Sequence, residues 1–119
     1  ALSSNGTSSD FQLAEKEGKP LYQVVMEKMM SISTPENMMF VVGATKADKL
    51  AEIRQFCPDN FFLVPGVGAQ GGSAEEVIAN GANSRGGLLI NSSRGIIYAS
   101  SGEDFAEAAA RSAENTARI

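Results

Sequence analysis

The sequence contains no histidine and a single cysteine, Cys57. Without histidine there is no imidazole acid–base chemistry and no histidine-ligated metal, and one cysteine excludes an internal disulfide and a multi-cysteine metal site. Basic residues are also few, since 10 Lys and Arg stand against 14 Asp and Glu, for a net charge of −4. This balance argues against a broad nucleic-acid or anionic-membrane surface, so an anionic ligand would have to be held by a few local groups.

Long apolar runs are missing as well. No segment approaches the roughly 18 residues of a membrane span, and the first ten residues lack the basic-then-apolar pattern of a signal peptide. We therefore expect a cytoplasmic protein that binds neither membrane nor nucleic acid. At 119 residues and 43% hydrophobic, the chain can bury one core and form one modest domain.

Three short apolar segments recur along the chain, each followed by a turn and then by a helical pattern. They are Met39–Val42, Phe61–Val64 and Leu88–Ile90. Apolar runs of this length without alternation indicate strands buried on both faces, as in a parallel sheet. The turns recur after 23 residues, from Gly43 to Gly66, and after 25 residues, from Gly66 to Asn91. This period predicts βαβ units, arranged either as an open doubly wound sheet or as a closed barrel.

Helix start signals follow each of the three segments. They are Thr45-x-x-Asp48, Ser73-x-x-Glu76 and Ser101-x-x-Asp104, the last opening an alanine-rich helix that runs towards Ile119. Asn80-Gly81 has the composition of a helix stop. Upstream, Pro20 is expected to open another helix.

The segment Pro65–Gly72 is the most informative loop. It follows a predicted strand, contains four glycines and runs into the helix that Ser73 caps. Glycines allow the backbone to approach a ligand closely, and a helix N-terminus offers free N–H groups to an anion. The loop therefore favours phosphate binding, with Gln70 as an additional amide donor. The alternative is a flexible turn without a ligand.

A second loop, Asn91–Gly95, follows the last predicted strand. Arg94 lies where a short helix is expected to begin, and its guanidinium can bind a phosphate through two parallel hydrogen bonds. In (β/α)₈ barrels the loops after the last two strands often form a phosphate site with a short extra helix. The alternative is an arginine that is only solvated.

Other features have plain structural interpretations. Cys57 and the five methionines are expected to fill the core. The small polar segment from Ala1 to Ser9 resembles either a disordered end or a mobile loop that donates hydrogen bonds.

Three segments together resemble orotidine 5'-phosphate decarboxylase, in its longer bacterial branch. They are Val41–Thr45, Val64–Gly72 and Leu89–Ala99, and the Pro-Gly-Val-Gly-Ala-Gln-Gly-Gly stretch is the most specific of the motifs. The similarity runs from Ala1 to the C-terminus. It implies the C-terminal half of a (β/α)₈ barrel, roughly from the end of the fifth strand through the eighth helix, with residues 1–119 as one portion of that domain.

The resemblance also implies roles for individual residues. A serine of the loop over the pyrimidine, best matched by Ser3 with Ser4 as the alternative, bonds the base; Gln70 grips the phosphate, and Arg94 binds it with help from the backbone at Ser93. The substrate-binding residues implied in this chain are Ser3, Ser4, Pro65, Gly68, Gln70, Ser93 and Arg94. The family often has glycine where this chain has Ser93, which leaves the backbone donor there open.

The family reaction converts orotidine 5'-phosphate to uridine 5'-phosphate without metal or organic cofactor, and family members are commonly homodimers. In the family the catalytic Asp-x-Lys-x-x-Asp motif lies in the N-terminal half of the barrel, so the resemblance implies that it falls in the half that this chain lacks, and no segment of this sequence has that spacing. We therefore expect the isolated chain to be inactive, and a lone half-barrel would expose two sheet edges and an apolar face. A piece of a longer decarboxylase is the favoured interpretation. The alternatives are a non-catalytic phosphate-binding half-barrel or interaction module, and another phosphate-binding barrel enzyme.

Overall fold

The structure, a computed structural model, describes residues 2–3, 6–44, 47–68 and 73–119. A short 3₁₀ turn at Gly6–Ser8 precedes eleven helices and strands in chain order. These are α1 (Ser9–Gln12), β1 (Glu15–Lys16), β2 (Lys19–Pro20), α2 (Leu21–Ser31), β3 (Phe40–Val41), α3 (Ala47–Phe56), β4 (Phe62–Pro65), α4 (Ala74–Gly81), β5 (Leu88–Asn91), α5 (Arg94–Ile97) and α6 (Phe105–Ala117). The three predicted strands and the helices between them are confirmed.

The main sheet is parallel and its order follows the chain. β3 pairs with β4 and β4 with β5, in the register Phe40↔Phe62 and Phe62↔Leu88. Leu2 adds a parallel bridge to Val42 on the outer side of β3. A doubly wound sheet reverses its strand order at a switch point, whereas the described strands succeed one another without reversal. This order is that of an arc of a (β/α)₈ barrel, and it also occurs within one half of a doubly wound sheet, so three strands alone do not decide between the two architectures.

The core lies between this sheet and the helices on one of its faces. Fully buried side chains of β3 and β4 alternate along the strands and meet buried residues of α2, α3 and α4. The largest side chains of this core that are completely buried are Leu2, Met26, Val42, Leu50, Ile53, Phe62, Val64 and Val77. Burial of such side chains contributes about 1.5–3 kcal/mol each.

The opposite face of the sheet is apolar but open. Val41 is 46% exposed and Leu89 is 50% exposed, while Leu63 between them is half-buried. In a complete barrel this face lines the interior, where side chains of all eight strands pack in layers. The expected exposed apolar face is thus confirmed for the described strands.

Helix ends agree with the sequence at Ser73, Pro20 and Gly81 and differ at the start of the final helix. Ser73 caps α4 by accepting a hydrogen bond from the backbone of Glu76 at 3.3 Å, and Pro20 precedes α2 as predicted. The final helix, however, begins at Phe105 and not at Ser101, because Asp104 accepts a hydrogen bond from Ser100 at 2.6 Å within a turn that occupies the preceding residues.

Gly81 ends α4, as the predicted helix stop requires, and it has a second role in packing. It is the last residue of α4, and a Cβ there would lie 3.2 Å from Cδ2 of Leu50 and 3.2 Å from Cδ2 of Leu88. The glycine therefore allows α4 to approach both α3 and β5 closely.

The sequence interpretation missed the hairpin of β1 and β2. Its two strands pair antiparallel across Glu17 and Gly18, which have φ angles of +56° and +76°. A two-residue turn with both φ angles positive is the turn that suits the twist of a hairpin. The signal was the Glu17-Gly18 pair, which lacks the usual Asn or Asp.

At the amino ends of the strands, Arg54 ties the connecting loops together. Its guanidinium donates to the carbonyl oxygens of Gly81 (2.8 Å) and Gly87 (3.2 Å), and to three more carbonyls in residues 57–60 at 2.8–3.2 Å. The same group stacks 3.8 Å from the centre of the Phe62 ring. One side chain therefore holds together the loops at the amino ends of β4 and β5.

Candidate phosphate-binding site

At the carboxyl ends of β4 and β5 the structure forms a cleft of about 160 Å³. A water molecule in the liquid takes about 30 Å³, so the cleft has room for a phosphate group. Its lining comes from the loops that follow the two strands. The lining residues are Pro65, Gly66, Val67, Asn91, Ser92, Ser93 and Arg94.

The first wall is the glycine-rich loop after β4. Gly66 and Gly68 have φ angles of +92° and +79°, a region that residues with a side chain rarely adopt. Val67 between them is 7% exposed and anchors the loop to the core. The glycines therefore let the chain turn sharply while its backbone stays at the cleft surface.

The second wall is the start of α5. The amides of Ile96 and Ile97 donate to the carbonyl oxygen of Ser93 at 3.1 and 2.9 Å, which closes the first turn. The N–H groups before them have no partner within the helix and are available to an anion. Ser112 of α6 donates to the carbonyl oxygen of Gly95 at 2.9 Å and so holds this turn in place.

The two walls are joined by Ser92. Its hydroxyl donates to the carbonyl oxygen of Val67 at 3.4 Å, a long and weak hydrogen bond. Ser92 is half-buried between the loops. The phosphate-binding loops predicted separately from the sequence thus meet at one place.

The electrostatics of the cleft depend on one residue. Arg94 is the charged residue among those that line it, and no carboxylate does so among the described residues. Within the described part of the chain, the Arg94 side chain is exposed and has no hydrogen-bond or ion-pair partner. A guanidinium in that state can bind two oxygens of a phosphate at once.

The predicted site residues fall into three groups. Pro65, Ser93 and Arg94 line the cleft, whereas Gly68 lies in the same loop but outside the lining. Ser3 follows Leu2, which pairs with Val42 on the side of β3 away from β4 and β5. The backbone N–H of Ser3 donates to Oε1 of Gln12 at 3.0 Å. The structure therefore does not bring Ser3 to Arg94. Ser4 and Gln70 lie outside the described residues.

Four lining residues were missing from the sequence-based set of site residues. They are Gly66, Val67, Asn91 and Ser92. Asn91 could have been found from strand alternation, because it shares a face with Leu89 at the end of β5.

Two buried core groups, Cys57 and Tyr22, have raised pKa values and lie away from the cleft. Burial raises the pKa of the Cys57 thiol, and it also raises the pKa of the Tyr22 hydroxyl, with the Glu52 carboxylate adding to the effect. Both side chains belong to the core on the helix side of the sheet, as predicted for Cys57. Among the described residues no three His, Cys, Asp or Glu side chains gather as metal ligands, and none of the described helices has the length and hydropathy needed to cross a membrane.

Comparison with known proteins identifies relatives of the chain, although no protein-family model matches it. The orotidine 5'-phosphate decarboxylases of Christiangramia forsetii and Phocaeicola vulgatus are 56% and 50% identical to it, over 114 and 115 residues. Each alignment covers 96% of this chain and 42% of the relative. The chain thus spans about two fifths of the length of the curated relatives it matches.

Solved structures give the same result. The UMP synthase of Leishmania donovani matches 98% of this chain with a TM-score of 0.80 at 36% identity, over 26% of its own length. The OMP decarboxylase of Leishmania donovani matches 98% of this chain with a TM-score of 0.77 at 31% identity, over 44% of its own length. Over nearly its whole length, the chain is homologous to part of the orotidine 5'-phosphate decarboxylases, as its motifs predicted.

Proposed function

We propose that this chain, as a homologue of part of the orotidine 5'-phosphate decarboxylases, is the C-terminal portion of such an enzyme and binds the phosphate of its substrate. The reaction would be the decarboxylation of orotidine 5'-phosphate to uridine 5'-phosphate in pyrimidine biosynthesis. The observation that carries the proposal is the cleft in which the two family loops meet around an arginine with no partner among the described residues.

In this proposal the chain provides binding energy and not the reacting groups. Arg94 and the backbone amides at the start of α5 hold the phosphate, and the loop with Gln70 covers it. Ser3 or Ser4 bonds the pyrimidine. Binding energy from such a remote group can align the reacting centre, so a contact far from the carboxylate still accelerates the reaction. The lysine and aspartates that perform the chemistry would come from the rest of the barrel.

The remainder of the barrel is the partner that the sheet requires. Beyond Leu2 and beyond β5 no further strand pairs with the sheet among the described residues, and Val41 and Leu89 stay open on the inner face. The missing strands would cover this face and close both edges. We further propose, from the family resemblance, a homodimer in the cytoplasm, which sedimentation of the complete protein and cell fractionation would check.

The experiment requires a complete barrel. This can be the natural full-length polypeptide, or a chimera in which this chain replaces the matching part of the Christiangramia forsetii relative. We expect release of CO₂ from carboxyl-labelled orotidine 5'-phosphate, and no turnover by the isolated chain. Arg94→Ala should weaken uridine 5'-phosphate binding about 10- to 100-fold, since hydrogen bonds to a charged group contribute about 1.5–3 kcal/mol.

Arg85 provides the matched control. It is an exposed arginine in the turn between Asn83 and Gly86, which precedes β5 and so lies at the amino ends of the strands. Arg85→Ala should leave binding and turnover unchanged. Equal effects of the two substitutions would contradict the assignment of the cleft. A complete barrel that binds uridine 5'-phosphate but releases no CO₂ would favour the second candidate, a non-catalytic phosphate-binding protein, which is consistent with the absence of lining carboxylates and lysines among the described residues.

A further inference from the structure

We propose that Asn91 is an additional phosphate-binding residue and that the Ser93 hydroxyl orients its amide for this purpose. The inference rests on the proposed function, since it concerns the same cleft. It assigns a neutral side-chain donor to a position that the family resemblance left without a role, and it gives Ser93 a side-chain role beside its backbone.

The position of Asn91 follows from the alternation of β5. Leu88 and Ile90 turn towards the helices and pack against the core, whereas Leu89 and Asn91 turn to the opposite face and are exposed. Asn91 is the last residue of the strand and pairs in register with Pro65 of β4. It therefore lies between the two loops, on the side where the cleft opens, and it lines the cleft.

One contact engages the oxygen of its amide. The Ser93 hydroxyl donates to Oδ1 of Asn91 at 3.2 Å. The amide oxygen is thus engaged, and the two N–H groups on Nδ2 have no hydrogen-bond acceptor among the described residues. In this orientation the NH₂ group is directed away from Ser93 and is available to a ligand.

The charge of the expected ligand explains why a neutral donor is useful there. A phosphate monoester carries three acceptor oxygens, and one guanidinium can engage two of them in its fork geometry. A second positively charged side chain does not line the cleft among the described residues. An oriented amide provides a donor for the remaining oxygen and, unlike a hydroxyl, has two N–H groups at that end.

The test uses the complete barrel and compares uridine 5'-phosphate with uridine, which lacks the phosphate, by calorimetry. Asn91→Ala should weaken nucleotide binding about 10-fold, the effect of one hydrogen bond to a charged group. Asn91→Asp retains the size of the side chain but places a carboxylate beside the phosphate, and should weaken binding about 100-fold. Uridine affinity should not change in either variant. Asn115→Ala, at an exposed asparagine of α6, is the control without effect.

Ser93→Ala tests the orienting contact. The variant should lose about 2- to 5-fold in nucleotide affinity, and the double variant Ser93→Ala/Asn91→Ala should bind no more weakly than Asn91→Ala alone, because the two residues act through one amide. If the loss of affinity in the double variant equalled the product of the losses in the two single variants, the positioning role of Ser93 would be overturned.

The result can be separated from the proposed function. If Arg94→Ala weakens nucleotide binding and Asn91→Ala does not, the cleft binds phosphate but Asn91 is not a ligand, and the inference fails alone. If Asn91→Ala weakens uridine as much as the nucleotide, the residue does not act on the phosphate, which also overturns it. If Arg94→Ala has no effect, the proposed function of the cleft fails first.

Discussion

Arg54 and Arg94 lie at opposite edges of the same parallel sheet and differ in almost every contact. Arg54, at the amino edge, is half-buried, donates to five backbone carbonyls and stacks on Phe62. Arg94, at the carboxyl edge, is exposed and has no partner among the described residues. One guanidinium is engaged by backbone carbonyls of the protein, and the other is open to solvent.

The difference agrees with a general division within (β/α)₈ barrels. The carboxyl ends of the strands carry the functional loops, and the amino ends contribute stability. At the amino edge Asn60 adds to the network by donating to the Met38 carbonyl at 2.9 Å and accepting from the Cys57 thiol at 3.3 Å. Each edge therefore has its own test: substitutions at the amino edge should change stability, and those in the cleft should change ligand affinity.

The largest effect is expected at Arg54. Arg54→Met keeps the aliphatic stem but leaves the carbonyls that it bonds without their donor, and should lower the free energy of unfolding by about 3 kcal/mol. Arg94→Met, the mirror substitution, should change it by less than about 0.5 kcal/mol, because an exposed side chain without contacts is removed. Urea denaturation of both variants measures the difference. The division between the edges would be refuted if Arg94→Met were the more destabilising.

Two glycines provide the next comparison. Gly81→Val would press methyl groups against Leu50 and Leu88, where even a Cβ lies 3.2 Å from each, and should cost about 1–3 kcal/mol of stability. Gly68→Ala has free space around the new Cβ but a φ angle of +79°, so it should cost about 1–2 kcal/mol of local strain. Only Gly68→Ala should also weaken uridine 5'-phosphate binding, which a binding titration of the complete barrel would show. If Gly81→Val also weakened uridine 5'-phosphate binding when equal amounts of folded protein are compared, the expectation would be contradicted.

Ser73 tests the same division between stability and ligand affinity, because it caps a helix although it lies near the carboxyl ends of the strands. Ser73→Ala removes the cap of α4 and should cost about 1 kcal/mol. Thermal unfolding monitored by circular dichroism checks the value. Ser73→Asp, which can also cap the helix, should restore the stability, and a failure to do so would mean that the hydroxyl has another role.

The smallest effect on stability is expected from a change of pH. It arises from two side chains of the core on the helix side of the sheet. Burial raises the pKa values of Cys57 and Tyr22 above their ordinary values of 9.0 and 10.0. At pH 7 both groups are protonated in the folded and unfolded states. As the pH rises past these values the unfolded chain loses the protons first, so stability falls. Melting temperatures between pH 7 and 10.5 should show this decline, and Cys57→Ala should make it shallower. An identical decline in that variant would exclude the thiol as a cause.

Local signals account for what the sequence predicted. The three apolar segments, the Ser73 cap and the short helix at Arg94 depend on residues within a few positions of one another, and all are confirmed. Arg54 was missed because its partners Gly81 and Gly87 lie 27 and 33 residues away in the chain. No local pattern distinguishes an arginine that will meet distant carbonyls from one that will stay in water. Asn91 is a different case, since strand alternation places it on the face of Leu89 and only its position beside Pro65 depends on the register between the strands.

The unbroken strand order has a consequence for how such a chain folds. Phe40 pairs with Phe62 and Phe62 with Leu88, so neighbouring strands are separated by 22 and 26 residues. Doubling a loop costs about 0.6 kcal/mol of closure entropy, so the two pairings are almost equally easy to form. Each strand can dock on its predecessor as synthesis proceeds, and the nucleus can form at any pair. In a ring assembled in this way every seam but one would be short in sequence, and the seam between the first and last strands would be the most non-local contact of the fold.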